Sequence, residues 1–141
     1  MRISIIIPVF NEQATIAEVL ARVLAVDLDK QVIVVDDGST DGTSELLEEW
    51  GTRQPDWVTV RRHAKNQGKG MAVRTGLAEV TGECVIIQDG DLEYDPRDYS
   101  RLLAPLIEGK ARVVFGSRLL GNNPRMFFRQ RVGNVVLTWL T

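Results

Sequence analysis

A single cysteine and a single histidine in 141 residues remove several kinds of chemistry at the outset. Cys84 has no partner for an intrachain disulfide, so a reducing, cytoplasmic location is the expectation. His63 has no second histidine, no nearby cysteine and no nucleophile motif around it, and it reads as an ordinary residue. Cys84 itself reads as a small buried strand residue, and Trp50 and Trp57 as packing residues. No run approaches the roughly 18 apolar residues that a bilayer-spanning helix needs, and the apolar start from Ile3 to Phe10 is too short for a secretory signal. Any membrane role expected of these residues is peripheral. With five prolines, no low-complexity tract, 44% hydrophobic and 26% charged residues, the composition is that of a globular chain, long enough for one α/β core.

Acidic residues are absent after Glu108, whereas Lys110, Arg112, Arg118, Arg125, Arg129 and Arg131 follow it. Residues 109–141 therefore carry +6 and the remainder −8 of the net −2. An anionic partner is expected at the C-terminal third. No nucleic-acid partner is indicated.

Ile3 to Phe10 is a continuous apolar run rich in β-branched residues, as in a strand buried on both faces. Asn11 is placed to cap a helix whose apolar positions Ile16, Val19, Leu20, Val23 and Leu24 recur at helical spacing. The unit repeats: strand 31–35 with helix through Leu46, Leu47 and Trp50, strand 58–62 with helix 70–80, strand 84–88 with helix 99–107, and a fifth strand at 111–115. Such alternation predicts an α/β fold, a Rossmann-like, doubly wound, mostly parallel sheet with helices on both faces. Ligands of such sheets lie beyond the carboxyl ends of the strands, where the strand order reverses. Residues 1–120 form the expected core. Residues 121–141, basic and aromatic from Arg125 to Arg131 and then apolar, start an acceptor- or membrane-facing segment; the regular pattern ends there without a cap, as though the domain continued. An interfacial helix meeting anionic head groups and an ordinary packing helix with a charged face both fit that segment.

The unusual polar residues lie at the predicted strand ends. Asp89 and Asp91, one residue apart around Gly90, suit a hard divalent cation such as Mg²⁺ or Mn²⁺, and Glu93 offers a third oxygen; the plain alternative is a solvated acidic loop. Asp36-Asp37-Gly38-Ser39 offers carboxylates to a nucleobase or ribose, although Thr40 or Asp41 capping the next helix would explain part of it. Asn66-Gln67-Gly68-Lys69-Gly70 combines backbone N–H groups at a helix start with a cation, which suits a diphosphate without being a P-loop. Pro8 closes the first strand without a ladder donor, and Glu12 is either part of the site or favourable charge at a helix start.

Together Pro8-Val9-Phe10-Asn11-Glu12, Val34-Val35-Asp36-Asp37-Gly38-Ser39-Thr40-Asp41-Gly42, Asn66-Gln67-Gly68-Lys69-Gly70 and Gln88-Asp89-Gly90-Asp91 strongly resemble family 2 glycosyltransferases of the GT-A fold. Asp91-Leu92-Glu93-Tyr94-Asp95-Pro96, with Val114-Phe115-Gly116-Ser117-Arg118, looks like their dolichyl- and polyprenyl-phosphate sugar synthase branch. The resemblance implies an inverting hexosyl transfer from a nucleotide-sugar to a polyprenyl or dolichyl phosphate at the cytoplasmic face of a membrane. It also implies that Pro8, Phe10, Glu12, Asp37, Gly68 and Lys69 contact the nucleotide, with Asp36 supporting that pocket. By the same token Asp89, Asp91 and Glu93 hold Mg²⁺ or Mn²⁺, and Arg118 and Arg131 engage a phosphate in the catalytic centre. An anionic acceptor needs no strong general base, whereas a sugar hydroxyl would, and no Asp, Glu or His follows Glu108 to supply one.

Other readings stay open. A dinucleotide-binding oxidoreductase lacks its G-x-G-x-x-G turn here. A phosphate-accepting receiver would carry its acidic pair after the first strand. A glycosyltransferase with a polysaccharide acceptor and a nucleotide-sugar-binding domain without transfer both keep the donor pocket.

Overall fold

The computed structural model describes residues 1–116. They fall into two compact units, Met1–Pro96 and a second from Arg97 onward. The expected boundary at residue 120, and everything expected of residues 121–141, lies outside the described residues.

The first unit is a sheet of four parallel strands in the order β3-β2-β1-β4. β1 (Ile3–Val9) and β2 (Lys30–Asp36) form its centre, with β3 (Val58–Arg62) and β4 (Cys84–Ile87) at the edges. Every residue of β1 is buried, which is why its sequence is an unbroken apolar run and not an alternating one. Each isoleucine so enclosed stabilises the fold by about 1.5–3 kcal/mol relative to exposure.

Helices α1 (Ile16–Ala25), α2 (Thr43–Arg53) and α3 (Lys69–Leu77) connect the strands. Ile6 pairs with Ile33, and these two with Val35 form one core cluster with Ala72 of α3. Val60, which pairs with Val34, lies instead against Gly51 of α2, where an added Cβ would come within 3.2 Å of it. Adjacent strand residues face opposite sides, so α2 and α3 cover opposite faces of the sheet, as the sequence pattern predicts. The chain steps from β1 outward to β3 and returns across the sheet to β4, which puts the reversal of strand order between β1 and β4.

Three expectations are corrected. Cys84 is only partly buried, because β4 is an edge strand with no fully buried residue. Asn11 does not cap α1: it adopts φ 52°, a conformation Asn tolerates, and Thr15 stands at the N-cap. Residues 111–116 form no strand, and Val113 and Phe115 are 67% and 88% exposed. An apolar β-branched run is strand-like in composition, but a strand exists only where a neighbour completes its ladder, and none pairs with this segment among the described residues. In the second unit, α4 (Tyr99–Ile107) follows a short 3₁₀ turn at Pro96–Asp98, as the periodicity predicts for 99–107.

Candidate functional site

Beyond the carboxyl ends of the strands lies a cleft of about 330 Å³ lined by Pro8, Val9, Phe10, Glu12, Asp37, Asn66, Lys69, Ala72, Asp89, Gly90 and Asp91. Its opening follows from the ladder. The last hydrogen bond across β1 and β4 runs from the Gln88 N–H to the Ile6 carbonyl (2.9 Å). Two residues on, Pro8 has no N–H to continue on that side, and the strands part.

The acidic turn is held from α1. The Thr15 hydroxyl donates to the Gly90 carbonyl (2.8 Å) and lies 3.1 Å from the Glu12 carboxylate. Asp91 accepts the Glu93 N–H at 3.0 Å, a local turn that sets the carboxylate on its loop. Asp89 is ion-paired with Lys69, the first residue of α3. Among the described residues no trio of His, Cys, Asp or Glu is grouped closely enough to hold a metal, so the turn offers two carboxylates to the cleft and not a complete cage. Glu93 is not among the residues that line it.

Asp36 and Asp37, adjacent in sequence, have different duties. Asp36 is 1% exposed and accepts from the Ser39 N–H (2.9 Å) and the Ser44 hydroxyl, with Arg62 at 3.6 Å; it fixes the β2–α2 turn from behind the cleft. Asp37 lines the cleft while accepting from the Gln67 N–H (2.9 Å), the Gly68 N–H (2.8 Å) and His63 Nδ1 (2.7 Å). Burial opposes its ionisation, but those donors together outweigh burial and hold its carboxyl below the usual range. The amides of Gln67 and Gly68, expected to be open to a diphosphate, are therefore engaged inside the protein. Gly68 supports the cleft from behind, at φ 93° before α3.

Asn11 and its neighbours tie the β1–α1 and β2–α2 loops together. The Asn11 N–H donates to Ser39 Oγ (3.0 Å), its side-chain carbonyl accepts the Thr40 N–H (2.8 Å), and the Glu12 N–H donates to Thr43 Oγ1 (3.0 Å). Asp41 accepts from Thr43 N–H at the start of α2 (2.9 Å). The structure thus gathers Pro8, Phe10, Glu12, Asp37, Lys69, Asp89 and Asp91 around one cleft and puts Asp36 and Gly68 behind it. Arg118 and Arg131 lie outside the described residues. His63 is the residue that sequence reasoning passes over: nothing local marks it, because its partners Asp37 and Thr75 are 26 and 12 positions away.

The model of glycosyl transferase family 2 matches residues 4–138. The chain belongs to that family. Among family 2 relatives, it is 32% identical over 120 residues to a dolichol-phosphate mannosyltransferase of Pyrococcus furiosus, covering 84% of this chain and 33% of that one. It is 28% identical over 139 residues to an undecaprenyl-phosphate 4-deoxy-4-formamido-L-arabinose transferase of Enterobacter, covering 96% of this chain and 42% of the relative. The chain thus spans less than half the length of these two relatives. A mannosyltransferase from Pyrobaculum calidifontis, solved in complex with GDP-Man and Mn²⁺, is 35% identical and superposes with a TM-score of 0.59 over 63% of this chain and 27% of its own. The sheet and its helices are accordingly those of the GT-A fold.

Proposed function

We propose that this chain is the donor-binding part of an inverting glycosyltransferase that moves a hexose from a nucleotide-sugar, of the GDP-mannose or UDP-glucose type, to a polyprenyl or dolichyl phosphate. The observation that carries the reading is the charge of the cleft. Four carboxylates, Glu12, Asp37, Asp89 and Asp91, and one ammonium, Lys69, line it. A nucleoside diphosphate entering such a cleft alone is repelled, so a divalent cation has to accompany it.

The donor set suits that cation. Asp89 and Asp91 are hard oxygen ligands on one turn, and Mg²⁺ or Mn²⁺ keeps most of its positions for water and phosphate oxygens, so two carboxylates suffice from the protein. Glu93, named as a third ligand by the resemblance, is not grouped with these two and would reach the cation only through water. When bound, the cation neutralises charge building on the departing nucleoside diphosphate. The chain's own groups do the rest. Phe10, 43% exposed at the rim, offers a ring face to a base. Asp37 offers an acceptor to a base or ribose, Lys69 supplies a second positive charge near the diphosphate, and Pro8 and Glu12 shape the wall.

The acceptor assignment rests on the names of the relatives and on the basic sequence after Glu108, where Arg118 and Arg131 are the residues proposed to meet an acceptor phosphate. Among the described residues no helix is long and apolar enough to cross a membrane, and attachment is proposed to be peripheral, at the cytoplasmic face. Titration calorimetry with GDP and UDP, each with Mn²⁺ and with EDTA, tests the donor site. Metal-dependent binding of one nucleotide supports it and names the donor class, whereas binding of neither overturns it. Product analysis with polyprenyl phosphate and saccharide acceptors in parallel tests the acceptor: transfer to the saccharide alone refutes the lipid assignment. Arg118→Ala is expected to reduce transfer more than donor affinity.

A further inference from the structure

His63 directly follows β3 with its ring enclosed; the side chain is 9% exposed. Both ring nitrogens are used: Nδ1 lies 2.7 Å from Asp37 Oδ1 and Nε2 lies 2.8 Å from Thr75 Oγ1. A carboxylate only accepts, so Nδ1 carries a proton and donates to Asp37, and in the neutral ring Nε2 accepts from the Thr75 hydroxyl. The His63 N–H also donates to the Asp36 carbonyl (2.8 Å), which fixes the ring from the backbone of the neighbouring strand.

This arrangement determines what Asp37 has left to give. Its Oδ1 accepts from both His63 and the Gln67 N–H, which fills the two lone pairs of that oxygen. Its Oδ2 accepts from the Gly68 N–H and keeps one acceptor position. Thr75, on the other side of the ring, belongs to the helix that begins with Lys69. One imidazole therefore joins the end of β2, the turn before α3 and α3 itself, and it does so beneath two residues that line the cleft.

We infer that His63 is a positioning residue of the donor pocket: it orients Asp37 so that Oδ1 closes the 66–68 turn and Oδ2 remains for a single ligand donor, and through Thr75 it anchors the helix whose first residue is Lys69. The inference rests on reading the cleft as a nucleotide site. It makes Asp37 a one-donor reader, suited to one N–H or hydroxyl of the nucleoside and unsuited to gripping a base through both oxygens.

The test uses the 141-residue chain with His63→Asn, His63→Gln and His63→Leu. The Asn side-chain amide takes the place of Nδ1 and reaches Asp37, the longer Gln amide takes the place of Nε2 and reaches Thr75, and Leu reaches neither. Two quantities are read: UDP and GDP affinity in the presence of Mn²⁺ by calorimetry, and amide hydrogen exchange at Gln67 and Gly68 in the ligand-free protein. His63→Asn is expected to stay close to wild type in both. His63→Gln and His63→Leu are expected to lose about tenfold or more in affinity, the scale of one charge-assisted hydrogen bond, and to exchange those amides faster. Equal behaviour of the Asn and Gln variants overturns the inference, because general destabilisation would affect both alike. Should wild type bind neither nucleotide, the donor-site reading fails by itself and the exchange data still decide: protection kept in His63→Gln overturns the positioning role, and protection lost there but kept in His63→Asn sustains it. If His63→Leu does not fold, the Asn and Gln pair carries the comparison.

Discussion

Asp37 is held ionised by the amides of Gln67 and Gly68 and by His63 against the cost of burial, so its folded-state pKa lies below the ordinary 3.8. Between those two values the unfolded chain binds more protons than the folded one, and stability rises with pH. The contribution is complete above the ordinary carboxylate range and is lost as pH falls through the folded pKa. Asp37→Asn puts an amide donor among donors and should cost about 1–3 kcal/mol at neutral pH, with a shallower loss on acidification; urea unfolding from pH 7 down to about 3 reads both, and a wild-type slope in the variant would contradict it. At the acidic turn, Asp89→Asn or Asp91→Asn should abolish Mn²⁺-dependent nucleotide binding while leaving the melting temperature near that of wild type. Unchanged affinity in both would remove the metal assignment. Asp89 and Asp91 are legible in the sequence because they stand one residue apart at the end of a recognisable strand. His63 is not, since its value comes from a contact across the topology that no spacing encodes.

Among the elements, the loops after β1, β2 and β3 behave as one ligature. Gly38 has φ 75°, and a Cβ there would come within 2.6–2.8 Å of the Lys65 and Asn66 backbone. Gly38→Ala should therefore destabilise by at least about 1–3 kcal/mol from backbone strain alone and push the 66–68 turn away from Asp37. Thermal unfolding together with amide exchange at Gln67 measures it, and a neutral effect would mean that the two loops are not held together as described. Strand and helix identities were readable from period because β1 is uniformly apolar and α1 buries Ile16, Val19, Leu20 and Val23 at helical spacing. The cap at Asn11 and the strand at 111–115 were misread for one reason: both depend on partners outside the local window. Asn11 found its partners in Ser39 and Thr40, and residues 111–116 found no strand to pair with among the described residues.

For the whole molecule, binding and stability are linked. If the cleft takes a nucleoside diphosphate with Mn²⁺, a ligand at a hundred times its dissociation constant adds about 2.7 kcal/mol, a rise of roughly 10 °C in melting temperature, and EDTA should cancel it. Nucleotide that shifts the transition equally with Mn²⁺ and with EDTA would separate binding from the metal. The sheet order bears on how this cleft comes into being. Chain emerging from a ribosome delivers β1, β2 and β3 first, with Phe10, Glu12, Asp37 and Lys69, before β4 crosses back beside β1 bearing the acidic turn. The pairing of Ile3 with Cys84 closes a long loop, a slow step by nature. During that interval Lys69 has no Asp89 beside it, and the nascent pocket has less negative charge than the finished one. The negative charge on which the proposed cation requirement rests is thus completed only when β4 returns beside β1 and brings Asp89 and Asp91 to the cleft.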